Sequence, residues 1–315
     1  MNIIETEKLT KYYTRAGRLY RTGPAKIRGI VDLDLAVPEG SCFGFIGPNG
    51  AGKSTTIRTL LGLLRATSGR ARIFGKDCAS RREEILSEVG FMPAEASFYS
   101  GMRVGELLRF SASLYKRDCG KRAGELCERL QLDPLRKIDQ LSLGNRKKVG
   151  IVCALQHSPR LLILDEPSSG LDPLMQREFF SLLSESHKEG ATIFLSSHVL
   201  SEIQRFCSHA AIIREGRLAA CGDVAKLSRS NAKRVTLYGK ADLSQLAGIR
   251  DRKKTEQGET FLYSGEIRPL IGALSQAELT DITIAEPDLE EVFLHYYGEE
   301  EGAGKGEGED DGILA

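Results

Sequence analysis

The stretch Gly47-Pro48-Asn49-Gly50-Ala51-Gly52-Lys53-Ser54-Thr55 constrains this chain more than any other. It fits G-x-x-x-x-G-K-[ST]. Before it lies an apolar, strand-like run at residues 41–46, Ser-Cys-Phe-Gly-Phe-Ile, and after it Ile57, Leu60, Leu61 and Leu64 recur at helical spacing. A strand, a glycine-rich turn and a helix in that order make a cradle for an anion. Glycines let the backbone crowd against phosphate oxygens with successive N–H groups turned inward. The helix N-terminus adds about half a positive charge, Lys53 adds a full one, and the Ser54 hydroxyl stands where it can ligate Mg2+. The expected ligand is the polyphosphate of ATP and the expected fold class is α/β. A glycine-rich turn that binds nothing is the bland alternative, and it leaves the register of strand, loop and helix unexplained.

A chain of 315 residues can bury one large core and a smaller one, and 41% apolar with 28% charged residues is the balance of a soluble globular protein. The net charge of +1 conceals an asymmetry. Residues 299–315 hold seven acids and one lysine, so the body before them is about +7, with 43 basic against 36 acidic residues. That excess suits a polyphosphate or an anionic membrane face, but it is too small and scattered for nucleic acid, which is not expected as a partner. Seven cysteines with no close pair at metal-ligand spacing are expected to be buried free thiols in a reducing cytosol. The opening Met-Asn-Ile-Ile-Glu-Thr-Glu lacks signal-peptide character, and no apolar run approaches roughly 18 residues. The chain is therefore not expected to cross a bilayer by itself.

Along the chain, residues 3–10 and 30–37 alternate like strands around a basic stretch at 14–28, which reads as a solvated hairpin loop. Residues 69–75 read as another strand, 81–88 as a helix start, and about 94–150 as a helical insertion, where Leu107, Phe110 and Leu114 share one face. The apolar run Leu161-Leu162-Ile163-Leu164 ends in Asp165-Glu166, at the carboxyl end of an expected central parallel strand. A helix bearing Phe179, Leu182 and Leu183 closes at Gly190, and a strand at 191–195 leads to Ser196-Ser197-His198. A helix at 199–206 and a hairpin at 210–221, turning at Glu215-Gly216, complete a domain expected to span residues 1–225. Residues 226–297 read as a small α+β appendage, with strands at 235–237 and 260–263 around a polar stretch and helices at 267–274 and 289–296. Residues 298–315 read as a disordered acidic tail.

A phosphate cradle needs a metal partner and a group that handles water. Asp165 after four apolar residues suits the metal, and Glu166 can orient or deprotonate the attacking water. Taken alone the pair would as readily cap the next helix. Combined with Lys53 it reads as the second half of a nucleotide site, and residues 1 to about 225 resemble the nucleotide-binding subunit of an ATP-binding cassette (ABC) transporter, with motifs in family order. Leu141-Ser142-Leu143-Gly144-Asn145 stands where the family has its signature, commonly LSGGQ, and Ser169-Gly170-Leu171-Asp172 resembles the loop after the acid pair. His198 matches the switch histidine and Tyr13 the aromatic residue that stacks on adenine. Without the resemblance His198 would be an ordinary surface or core histidine, and Tyr13 ordinary strand packing.

The resemblance implies the P-loop NTPase fold of ABC ATPases: a mixed sheet core, an antiparallel β region and the helical insertion. It also implies ATP and Mg2+ as ligands, with the loop from Gly47 to Thr55 clamping phosphate and Ser54 and Asp165 serving the metal. Glu166 is then the catalytic carboxylate, and His198 senses the γ-phosphate. Ser142 and Gly144, at the head of a helix, would bind the γ-phosphate held by a second ATPase subunit, identical or similar, in a head-to-tail dimer. Two departures stand out. Ala94 in Phe91-Met92-Pro93-Ala94-Glu95 occupies the usual place of a metal-reaching glutamine, with Glu95 a substitute through water, and the signature carries Leu143 and Asn145. Similar signatures, and the run Leu289-Glu290-Glu291-Val292-Phe293, resemble the exporter branch in which a separate transmembrane permease subunit is driven from the cytoplasmic face of the membrane. The expectation is an active ATPase driving export; the alternative is a nucleotide-gated regulatory or binding module with little turnover.

Overall fold

The computed structural model describes residues 1–14, 26–227, 233–244, 246–255, 258–275 and 277–285. The basic stretch at 15–25, the helix read at 289–296, the exporter-like run at 289–293 and the acidic tail lie outside the described residues. Two compact units divide the chain, Met1–Val224 and Ala225–Ala315.

In the first unit, long strands β1 (Asn2–Thr14) and β2 (Lys26–Pro38) pair antiparallel, and β4 (Ser68–Ile73) and β5 (Lys76–Asp77) extend them into a sheet of order β2-β1-β4-β5. Between them in sequence come β3 (Cys42–Ile46) and helix α1 (Lys53–Leu60). Short α2 (Arg82–Leu86) leads into β6 (Val89–Met92). The helical insertion comes next as α3 (Val104–Leu114), α4 (Gly120–Arg129), a 3-10 turn at Ile138–Gln140 and α5 (Leu143–Leu155). The chain then returns to the sheet with β7 (Leu161–Asp165), α6 (Pro173–Lys188), β8 (Thr192–Ser197), α7 (Leu200–Phe206), β9 (His209–Arg214), β10 (Arg217–Asp223) and a last short turn of helix α8 (Val224–Leu227).

Five of these strands run parallel in a six-stranded sheet of order β10-β9-β3-β8-β7-β6, with β10 antiparallel at the edge. Every residue of β3, β7 and β8 is buried, as sheets covered on both faces require. Period-two alternation assigns the faces. Phe43, Phe45, Leu161, Ile163, Phe194 and Ile213 share one core with α1 and the antiparallel sheet, and Phe194 stacks on Phe43 with ring centroids 6.0 Å apart. On the other face the sheet meets α7 so closely that a Cβ on Gly44 would lie 2.5 Å from Ile203. Helix α6 begins where the sequence demands it: the Asp172 carboxylate accepts from the N–H groups of Leu174 and Met175, and Pro173 occupies the first turn.

Local differences from the sequence reading have simple causes. Of the apolar face read on α3, Leu107 is buried, whereas Phe110 and Leu114 are exposed, so helical spacing found the helix but not how far its partner extends. Among the seven cysteines, all free, Cys221 is exposed on edge strand β10 rather than buried. No described helix is long and apolar enough to cross a membrane.

The second unit holds an antiparallel sheet of order β12-β13-β11-β14, built from β11 (Lys233–Lys240), β12 (Ile249–Thr255), β13 (Gly258–Tyr263) and β14 (Glu278–Ala285), with α9 (Ile267–Ser275) before the last strand. Val235, Leu237, Phe261, Tyr263 and Leu270 form its core. The polar stretch Arg250 to Lys254 is strand β12, an edge position whose charged side chains face solvent, so no alternation of apolar residues marks it.

Candidate functional site

Strand order creates the site. Because β3, β8 and β7 are parallel neighbours, Ile46 opposite Ser197 and Ser196 opposite Asp165, their carboxyl ends open at one edge of the sheet. The loop Gly47 to Gly52 leaves β3 there, Asp165-Glu166 ends β7, and Ser196-Ser197-His198 ends β8.

The loop is held from behind. Gly52 has a φ of +112°, and a Cβ on it would lie 2.6 Å from the Gly29 carbonyl of β2, so no other residue fits. The turn between β9 and β10 closes the same corner: Gly216 N–H donates to Ala51 O at 2.8 Å, and Val31 N–H donates to Gly216 O at 2.7 Å. Thr56 then begins the α1 ladder by donating its N–H to Gly52 O. Lys53, Ser54 and Thr55 fill the first turn of α1, at its positive end.

Lys53 is only 6% exposed, and its ammonium donates to Gly47 O at 2.5 Å and stands 3.2 Å from Glu166 Oε1. Glu166 thereby faces two cations or donors. Its Oε2 accepts from His198 Nδ1 at 2.6 Å and more weakly from the His198 N–H at 3.4 Å, while its Oε1 is buried and lacks a hydrogen-bond partner of good geometry. With Nδ1 engaged by the carboxylate, Nε2 is the ring nitrogen left to meet a ligand. Asp165, also buried, accepts from Ser196 Oγ at 2.7 Å on Oδ1. Beneath, Ser168 and Ser197 hydroxyls both donate to Glu202 of α7, which pins the loop after the acid pair to the end of β8.

Tyr13 places its hydroxyl 3.1 Å from Thr55 Oγ1, with Lys11 Nζ 5.5 Å from its ring centre, so β1 brings an aromatic ring to the head of α1. Ser142 caps α5 by accepting from Asn145 N–H at 3.3 Å, and a Cβ on Gly144 would lie 3.1 Å from Gly170 O. Neither Ser142 nor Gly144 hydrogen-bonds the Gly47 to Thr55 loop among the described residues. Leu143 beside them is 73% exposed. The structure gathers Lys53, Asp165, Glu166 and His198 at one edge, while Ser142 and Gly144 stand at the head of α5 against the loop that carries Gly170.

The residues fit ATP and Mg2+. The loop is followed by a buried ammonium and the positive end of α1, both suited to phosphate; Ser54 supplies a hydroxyl, and Asp165 a carboxylate with only one oxygen engaged in a described hydrogen bond. Several members of the site escaped the sequence reading. Ser196, Ser168 and Glu202 act only through folding contacts, but Lys147 left a signal. It lies one helical turn before Ile151, and every residue from Lys147 to Val152 is buried, so the apolar run that follows it marks a covered helix.

Three comparisons bear on this geometry. The family model described as ABC transporter matches residues 30–169. The chain is 34% identical over 311 residues to the bacitracin transport ATP-binding protein BcrA of Bacillus licheniformis, covering 94% of this chain and 97% of that one. It is 35% identical over 286 residues to the Nod factor export ATP-binding protein I of Cupriavidus metallidurans, covering 86% and 93%. A solved ATP-binding subunit of an ABC transporter aligns with a TM-score of 0.65 and 30% identity over 72% of this chain and 92% of that one.

Proposed function

The chain belongs to the ABC transporter family as an ATP-binding, ATPase subunit, and on that premise we propose that two such subunits clamp two ATP molecules head to tail and drive export through a separate transmembrane permease. Two of the relatives that span most of its length are named for bacitracin transport and Nod factor export, which supports the export reading. Lys53 and the loop N–H groups hold the β and γ phosphates; Ser54 and Asp165 hold Mg2+, which when bound neutralises charge on those oxygens. Tyr13 stacks on the adenine. Ser142 and Gly144 complete the site of the other subunit; no described hydrogen bond joins them to the phosphate loop of their own chain.

The observation that carries the reading is the arrangement around Glu166. With Oε2 taken by His198, the buried Oε1 is the oxygen that accepts a proton from water, and Lys53 sits 3.2 Å away to stabilise its charge before nucleotide arrives. His198 keeps that carboxylate turned toward the phosphate and presents Nε2 to it. Tyr99 is 63% exposed and meets exposed Phe110 edge to face, with Leu114 at 67%, next to the loop that bears Ala94 and Glu95. This apolar face supports docking of the permease on the insertion, at the inner face of the membrane.

Glu166→Gln is expected to keep ATP binding, to lower phosphate release at least about 100-fold, and to accumulate the ATP-bound dimer on size exclusion. Normal turnover in that variant would remove Glu166 from its role. Nucleotide binding without phosphate release in the unmodified protein, even with its permease, would mark a nucleotide-gated module.

A further inference from the structure

Both polar groups of the Glu166 main chain are held from outside its own strand. Its N–H donates to Ser196 O at 3.0 Å, and its carbonyl accepts from Lys147 Nζ at 2.6 Å. The tether matters because Glu166 has a φ of +49°, the left-handed region that a residue with a Cβ rarely adopts. Pro167 comes after it and offers no N–H to steady the turn. This turn is what swings the Glu166 carboxylate out of line with β7 and toward Lys53 and His198.

Lys147 is placed for that task at some cost. It is 7% exposed, and its described hydrogen bond goes to a carbonyl rather than to a carboxylate. Burial pushes its pKa down, while the charges of Glu166, Asp165, Glu202 and Glu95 oppose that shift. A buried ammonium that donates to one backbone oxygen, among four acids from three separate segments of the chain, is poorly explained by packing, since a methionine would fill the same space without desolvating a charge. It also stands on α5, the helix that Ser142 caps.

We propose that Lys147 is a positioning residue that fixes the left-handed turn at Glu166, so that the catalytic carboxylate stays aimed at Lys53 and His198, and that it ties this turn to the helix headed by Ser142 and Gly144. The inference deepens the ATPase reading and rests on it. A displacement of α5, when its head engages the nucleotide of the other subunit, is then felt at Glu166 of the same chain.

The test compares full-length variants by steady-state phosphate release, titration with a fluorescent ATP analogue and thermal melting. Lys147→Met, which keeps the aliphatic stem, is expected to lower kcat about 10- to 100-fold while nucleotide affinity stays within about twofold. Lys147→Arg, which keeps charge and donor, is expected to run at least about threefold faster than the methionine variant. If the methionine variant does not fold, Lys147→Leu, which likewise carries no donor, carries the same expectation. An unchanged kcat, a loss of affinity that parallels kcat, or an arginine variant as slow as the methionine one overturns the proposal. Unmodified protein that binds ATP but never releases phosphate overturns the ATPase reading itself, and with it this one.

Discussion

The carboxyl edge of the six-stranded sheet and the helical insertion are built on opposite plans. At the sheet edge Lys53, Asp165 and Ser196 are buried, and Glu166 is fixed by contacts from β8, α1 and α5. On the insertion, Tyr99, Phe110, Leu114 and Leu135 face solvent, and α4 is fastened to α6 through one arginine, Arg129, paired with Glu178 and Glu185. Chemistry that tolerates little misplacement sits on the densely covered strands and on buried α5, and surface suited to a partner sits on the exposed side of the outer helices of the insertion.

Substitutions can break or sharpen that contrast. The largest effect is expected at the sheet edge, where Lys53→Ala removes the buried ammonium and should weaken ATP binding at least about 100-fold in an equilibrium titration, about 2.7 kcal/mol. A matched pair of glycine substitutions comes next. Gly44→Ala places a methyl group 2.5 Å from Ile203 and should cost about 2–3 kcal/mol in denaturant unfolding, whereas Gly124→Ala in α4, with open space around its Cβ, should stabilise by about 0.5–1 kcal/mol. Equal costs at both positions would end the contrast.

A pH-dependent effect lies where the two regions meet, at His157 just beyond α5. Its ring stacks on Tyr115 with centroids 3.6 Å apart, and neither nitrogen makes a well-formed hydrogen bond. Burial, first among the causes, pushes its pKa down from 6.5 to about 4, with nearby backbone of Val89 and Cys153 opposing. The unfolded chain takes up a proton first as pH falls, so this contribution to stability is complete above about pH 6.5 and is lost on the way down to about 4. His157→Phe should flatten the loss of stability over that window by on the order of 2 kcal/mol, measured as denaturant midpoints against pH.

How much of this was legible in the sequence obeys the same division. β3, β7 and β8 are short apolar runs bounded by turns, and the loop after β3 carries a pattern that few other structures satisfy, so the sheet edge and its Lys53, Asp165 and Glu166 could be read from residues alone, whereas His198 was read only through the family resemblance. The antiparallel strand β12 could not, because an edge strand with solvent-facing charges looks like a loop. Lys147 was hidden by its own chemistry: a lysine within Arg146-Lys147-Lys148 reads as surface, and only the fold shows it buried beneath Glu166. The partial exposure of the α3 face was equally out of reach, since periodicity reports which residues share a side and not what covers them.

The two-residue turn at Glu215-Gly216 has a consequence for anyone engineering this protein. A short hairpin tip far along the chain looks like a harmless place to open, tag or permute the backbone. Yet Gly216 bonds both Ala51 and Val31, and a Cβ on it would lie 2.8 Å from the Gly29 carbonyl oxygen, so the tip is the outer wall of the phosphate loop. An insertion there would loosen the cradle from a distant part of the sequence, and the ligand would register damage that the secondary structure does not.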